Sequence, residues 1–122
     1  MAILTDLRGT AGFIVSEAAN IYRSREQATV AAGAAPGLEP GTILGRLTAN
    51  GNYVALNTGA STGAEDVSGI LFEGAIGTVD KTVVVRDCEV NVHALIYPAG
   101  ANDAAKTTIN AALAELGIIV RD

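Results

Sequence analysis

The chain is divided unevenly, and this division limits the folds it can adopt more than any other feature. About thirty-five irregular residues, rich in glycine and alanine, precede a longer region in which strand patterns and turn signals alternate. Residues 33–37, Gly-Ala-Ala-Pro-Gly, separate the two parts, because glycine and proline interrupt regular structure. We therefore predict a flexible N-terminal arm and linker over residues 1–37 and a folded body over residues 38–122.

One segment of the predicted arm, residues 21–30, has a regular pattern. Its side chains alternate as in a β-strand, but neither face is convincingly apolar. A core strand needs an apolar face, whereas a strand at a sheet edge or free in solvent does not. The pattern therefore predicts an edge strand or a free strand here.

Turn signals divide the body into short strands. Glu39–Thr42 suits a type II turn, and Asn50-Gly51 favours a type I′ hairpin turn, because these residue types tolerate positive φ. The apolar run over residues 82–86 predicts a strand buried on both faces, and residues 88–96 alternate between an apolar and a polar face. The predicted strands are 42–47, 53–56, 67–73, 82–86, 88–96 and 118–120.

One helix is predicted, from Asp103 to Leu116. Asn102 is a typical N-cap residue, an apolar stripe repeats at the helical period, and Gly117 suits the position after the last turn. The predicted fold class is therefore α+β and β-rich, with a single C-terminal helix.

Composition and charge narrow the function classes. Hydrophobic residues make up 49% of the 122 residues and mean hydropathy is +0.35, which favours self-association. No segment predicts a membrane span or a signal peptide, and the single cysteine excludes an intrachain disulfide, so we expect synthesis in the cytoplasm. Residues 36–122 carry five Lys/Arg against ten Asp/Glu, and this acidic body argues against direct nucleic-acid binding.

The sequence offers no convincing catalytic, cofactor or metal site. Cys88 and His93 are five residues apart, so they point to opposite faces of the predicted strand and form no nucleophile–base pair. Asp87 and Glu89 share a face and can act as an acid–base pair or bind a cation, but such pairs more often keep a strand soluble. We therefore predict that the protein is not an enzyme.

Several motifs, in their order and spacing, resemble the head decoration proteins of tailed bacteriophages, the family of the phage lambda protein D. These motifs span most of residues 38–121. They are Leu38-Glu39-Pro40-Gly41-Thr42-Ile43-Leu44-Gly45-Arg46, Gly69-Ile70-Leu71, Val83-Val84-Val85-Arg86, Glu89-Val90-Asn91, Leu95-Ile96-Tyr97-Pro98-Ala99-Gly100 and Leu116-Gly117-Ile118-Ile119-Val120.

The resemblance implies a β-clip-like body that forms a homotrimer on the outer surface of the virion. Such a trimer caps the three-fold and quasi-three-fold positions of an expanded head and cements major capsid subunits against internal DNA pressure. It also implies an N-terminal arm that becomes ordered when it docks on the shell. Made in the host cytoplasm, such a protein needs no cofactor, nucleic acid or membrane as a partner.

Within the arm we predict capsid contacts at Ile21, Tyr22, Arg23 and Arg25, because tyrosine and arginine are frequent interface anchors. Packing of these residues against their own body is an equally good interpretation. Two other function classes stay open. One is a small binding or accessory module with a ligand near residues 87, 89 and 93, and the other is a different structural subunit of the virion.

Overall fold

The computed structural model describes residues 10–17 and 23–122, which contain eight strands and one α-helix. The strands are β1 (Ile14–Glu17), β2 (Arg25–Ala31), β3 (Ile43–Arg46), β4 (Tyr53–Ala55), β5 (Val67–Leu71), β6 (Thr78–Val84), β7 (Cys88–Asn91) and β8 (Ile118–Arg121). The helix is α1 (Asp103–Glu115). The predicted β-rich α+β class is confirmed.

Five strands close into a barrel in the order β2-β4-β3-β5-β6. β3 lies between β4 and β5 and is antiparallel to both. β2 is antiparallel to β6 along its seven residues, from Arg25↔Val84 to Ala31↔Thr78. On its other side β2 is parallel to β4 and meets it only at Val30↔Tyr53. The β-clip-like description stays a prediction.

A second, three-stranded sheet and the helix cover one side of the barrel. In this sheet β7 is antiparallel to β1 and parallel to β8. Helix α1 contacts β8 and β5 and buries Ile109 and Leu113. The predicted helix ends are confirmed, since the Asn102 side chain accepts a hydrogen bond from the Ala105 N–H and Gly117 has φ +86°.

Two apolar clusters form the core, and the barrel wall separates them. Adjacent residues of one strand enter different clusters, because side chains alternate across a sheet. Leu44, Leu71 and Val83 belong to the cluster of the barrel strands. Their neighbours Ile43, Ile70 and Val84 pack with the second sheet and the helix. The double burial predicted for residues 82–86 is confirmed at Val83 and Val84, but the strand itself runs from Thr78 to Val84 and so starts four residues earlier than predicted.

Two local predictions were wrong. The strand predicted over residues 88–96 ends at Asn91, because the Asn91 side chain accepts a hydrogen bond from the His93 N–H and starts a 3-10 turn over Val92–Ala94. A type I′ turn at Asn50-Gly51 requires positive φ at both residues, and only Gly51 has it. The loop is longer, and it is closed by a hydrogen bond from the Leu47 N–H to the Asn52 carbonyl.

The described part of the predicted arm packs into the folded body. Val30 is fully buried inside the barrel. Phe13 is 1% exposed and belongs to the cluster formed with the second sheet and the helix. Over residues 25–30 the free strand is therefore wrong, because β2 pairs with β6 along its whole length and buries Val30. The side of β2 that faces away from β6 is paired only at Val30, as in an edge strand.

The face of β2 that carries Val30 looked polar in the sequence because Glu26 alternates in step with Ala28 and Val30, but Glu26 lies at the exposed end of the strand, where it pairs with Arg86. Flexibility of the arm is not confirmed, and the domain boundary at residue 37 stays a prediction.

Candidate interaction surface

The four residues predicted to contact a partner lie where the chain passes from β1 to β2. Ile21 and Tyr22 are outside the described residues. Arg23 precedes β2, and its side chain is 66% exposed, with Nη2 3.4 Å from Asp87 Oδ2. Such an exposed ion pair contributes at most about 1 kcal/mol, so Arg23 can exchange Asp87 for a partner's carboxylate at little loss.

Arg25 is held within its own chain. It donates two hydrogen bonds to the Glu17 carboxylate, from Nε at 2.9 Å and from Nη2 at 2.5 Å. The fully buried Ser24 donates a third to Glu17 Oε2. The guanidinium also lies 4.1 Å from the centre of the Phe72 ring, within cation–π range. This Glu17–Ser24–Arg25 cluster joins the end of β1 to the start of β2.

The cluster favours the ionised form of Glu17. Hydrogen bonds from the Arg25 side chain lower the pKa of the Glu17 carboxyl below its ordinary value, although partial burial opposes this shift. A lowered pKa in the folded state means that stability gained from the cluster is present above the unfolded-state pKa. That contribution is lost as the pH falls through the folded-state pKa.

Glu17→Gln tests this contribution. We expect the substitution to lower the free energy of unfolding by about 1.5–3 kcal/mol at pH 7, the usual range for hydrogen bonds to charged groups. Near pH 3 the difference from wild type should shrink, because protonation also weakens the wild-type cluster. Urea denaturation at both pH values measures the effect, and Glu115→Gln, at an exposed position on α1, controls for the change in net charge. Equal losses at both pH values would contradict the role of ionised Glu17.

The residues that the sequence suggested for catalysis do not converge. Cys88 is 4% exposed, and burial raises the pKa of its thiol to about 12, which disfavours a reactive thiolate. His93 is exposed, with Nε2 2.9 Å from Asp122 Oδ1. Glu89 pairs with Arg121 at 2.7 Å.

Asp87 also departs from its predicted position. It lies in the bend before β7 with φ +52°, so it does not share a strand face with Glu89. Its carboxylate is paired with Arg23, whereas the Glu89 carboxylate is paired with Arg121. The two carboxylates therefore do not form the acid–base pair that the sequence left open.

Two open grooves flank the segment Gly37–Glu39. One, of about 490 Å³, lies toward Thr42, Leu56 and Tyr97. The other, of about 520 Å³, is lined mainly by the apolar residues Pro36, Leu38, Pro40, Ala75, Ile76 and Val79.

Three large hydrophobic residues are exposed in the part of the chain that the structure describes. Ile76 is 56% exposed beside the apolar groove, and Val15 and Ile119 are 56% and 38% exposed on the outer strands of the second sheet. Sequence reasoning missed all three. Gly74 and Gly77, which bracket Ile76, were the only local sign that it lies in a surface turn. Ile76 and the apolar groove beside it form a continuous apolar surface, which is suited to a protein contact rather than to chemistry.

Residues 10–17 and 23–122 contain neither a metal-ion site nor a membrane-spanning helix. Within these ranges no three His, Cys, Asp or Glu side chains come together in a way that would hold a metal ion. Nor do these ranges include a helix with the length and apolar character that crossing a membrane requires.

Comparison with known families identifies the chain. The family model described as bacteriophage lambda head decoration protein D matches residues 3–118. The match extends the resemblance drawn from residues 38–121 to the N-terminal region. No individual curated protein shows significant similarity to the chain. The chain therefore belongs to the bacteriophage lambda head decoration protein D family, a structural, non-enzymatic family of proteins that associate with the capsid of the phage virion.

Proposed function

We propose that the protein trimerises and caps the three-fold and quasi-three-fold positions of an expanded phage head. On the outer surface it cements neighbouring major capsid subunits and stabilises the shell against internal DNA pressure. The observation that carries this proposal is the family match over residues 3–118. The exposed aliphatic side chains support it, since a subunit that assembles needs apolar contact area outside its own core.

Charge supports a protein partner rather than DNA. Five of the eight Lys and Arg side chains form ion pairs with carboxylates of the same chain. The pairs are Arg23–Asp87, Arg25–Glu17, Lys81–Glu73, Arg86–Glu26 and Arg121–Glu89. These five basic side chains are therefore neutralised within the chain and do not form a basic patch that could bind DNA. The chain as a whole carries a formal net charge of −5. A surface of this kind is suited to basic residues on a capsid subunit.

Trimerisation is part of the proposed mechanism. Each hydrogen bond between the N-terminal segment and the shell contributes about 0.5–1.5 kcal/mol net, whereas ordering one residue costs about 1–2 kcal/mol. One copy therefore binds weakly, and three linked copies gain avidity of roughly 10²–10⁴ over single-site binding. In this proposal Ile21, Tyr22 and Arg23 contact capsid subunits, and Arg25 holds the base of that segment through Glu17.

The test combines sedimentation with shell binding. We expect a trimer in analytical ultracentrifugation, co-sedimentation with emptied expanded heads, and a higher melting temperature of decorated heads. The double substitution Tyr22→Ala/Arg23→Ala should leave the trimer intact and weaken binding at least about tenfold. Arg121→Ala removes another exposed ion pair and serves as the matched control. A monomer that leaves the melting of heads unchanged would contradict the proposal.

A further inference from the structure

Strand β2 is paired along one side and largely open along the other. Its seven residues all pair with β6. On the opposite side the only paired position is Val30↔Tyr53, and β4 continues from there past the C-terminal end of β2. Within the described ranges, no strand flanks Arg25–Ala28 on this second side.

The register shows which backbone groups lie on the open side. In an antiparallel pair, consecutive residues of a strand direct their N–H and C=O groups alternately toward and away from the partner. The Val85 N–H donates to the Ser24 carbonyl at 2.8 Å, which makes Ser24 and every second residue after it face β6. The N–H and C=O groups of Arg25 and Gln27 therefore point away from β6, toward the open side.

We propose that this edge of β2 is a strand-addition site that accepts an extended segment of a major capsid subunit. The inference rests on the proposed function and names the place on the body where that partner binds. Donors and acceptors that alternate along an open edge match the backbone of another β-strand. The added strand would lie next to β2 at its N-terminal end and extend the barrel sheet by one strand.

Symmetry favours the capsid segment over a second copy of this edge. Pairing of β2 with β2 of another subunit is a self-complementary contact, which generates a two-fold axis and does not close a three-fold ring. The outer face of β2 is polar, with Gln27 bonded to Thr82 Oγ1 and Thr29 bonded to Asp80 Oδ1. The site therefore fits a polar extended segment held mainly by main-chain hydrogen bonds.

Gln27→Pro tests the edge directly. Proline lacks the N–H that points outward at this position, and proline is tolerated where an edge N–H faces away from the sheet. Gln27→Ala is the matched control, because it removes only the side-chain bond to Thr82. We expect co-sedimentation with emptied expanded heads to weaken at least about tenfold for Gln27→Pro and by less than about threefold for Gln27→Ala.

Hydrogen exchange on the wild-type protein provides a second measurement that does not depend on the variant. The amides of Arg25 and Gln27 should exchange freely in the unbound protein and become protected on the heads. Protection already present in the unbound trimer, or loss of the trimer in Gln27→Pro, would assign the edge to a subunit contact and overturn the inference. Normal head binding by Gln27→Pro with unprotected amides would overturn it while leaving the proposed function intact. A wild-type protein that binds no heads would overturn both.

Discussion

Deletion of residues 1–31 is expected to unfold the protein rather than to leave a stable body. The deletion removes β2, whose pairing with β6 and β4 closes the barrel, and it removes the buried side chains Phe13 and Val30. Each buried apolar side chain of this size contributes about 1.5–3 kcal/mol. The loss of the strand pairings comes in addition, and the total approaches the 5–15 kcal/mol by which domains are typically stable.

Circular dichroism and thermal denaturation measure this outcome. Deletion of residues 1–9 is the control, because it leaves β1, β2, Phe13 and Val30 in the chain. This shorter deletion should retain cooperative unfolding, whereas the longer one should show no cooperative transition. A folded, trimeric product of the longer deletion would show that residues 32–122 fold independently of β1 and β2. It would also contradict the packing of β2.

Gly45→Ala is expected to destabilise the protein strongly, although it adds only one methyl group. A Cβ at residue 45 would lie 2.3 Å from the carbonyl oxygen of Ala64 and 2.7 Å from its carbonyl carbon. Both are backbone atoms in the buried wall beside β3, so they cannot move aside as a side-chain end can. We expect a loss of about 3 kcal/mol or more in the free energy of unfolding, at the upper end for overpacking.

Gly59→Ala is the matched control for this substitution. Gly59 lies in the exposed loop after β4, and a Cβ there meets only Asn57 Oδ1, at 3.7 Å. Alanine at a compatible position stabilises by about 0.4–1 kcal/mol through the unfolded state. Chemical denaturation at one protein concentration compares both variants with wild type. Equal stabilities of the two variants would mean that the Ala64 backbone can yield.

The structure changes how the N-terminal region is understood to act. The sequence predicted a flexible arm over residues 1–37 with capsid contacts at Ile21, Tyr22, Arg23 and Arg25. The structure places β2 in the barrel and Arg25 in a cluster with Glu17 and Ser24. The segment that ends at Arg23, for which we propose direct capsid contacts, is therefore followed immediately by residues that are held in the folded body. The open edge of β2 begins at Arg25, directly after this segment.

Features that depend on neighbouring residues could be predicted from the sequence. Helix α1 was placed almost to the residue, because Asn102 and Gly117 act within one turn of its ends. The turn at Glu39–Thr42 was also predicted correctly, since Gly41 has φ +93° and the Thr42 N–H donates to the Glu39 carbonyl. The family resemblance came from the same short motifs, whose order and spacing are visible without coordinates.

Features that depend on distant residues could not be predicted in this way. Nothing near Val30 signals that Tyr53, Val79 and Val83 surround it, and the polar appearance of β2 hid its place in the barrel. The exposure of Ile76, like the separate pairing of Asp87 and Glu89, also depends on contacts between distant parts of the chain.

The sequence by itself determined the helix, the turn at Glu39–Thr42 and the family, because each of these follows from residue types at short spacing. Only the tertiary structure decided that β2 closes the barrel, and which of its N–H and C=O groups face away from a neighbouring strand. Strand pairing is a long-range choice, made by the burial of side chains that lie far apart in the chain.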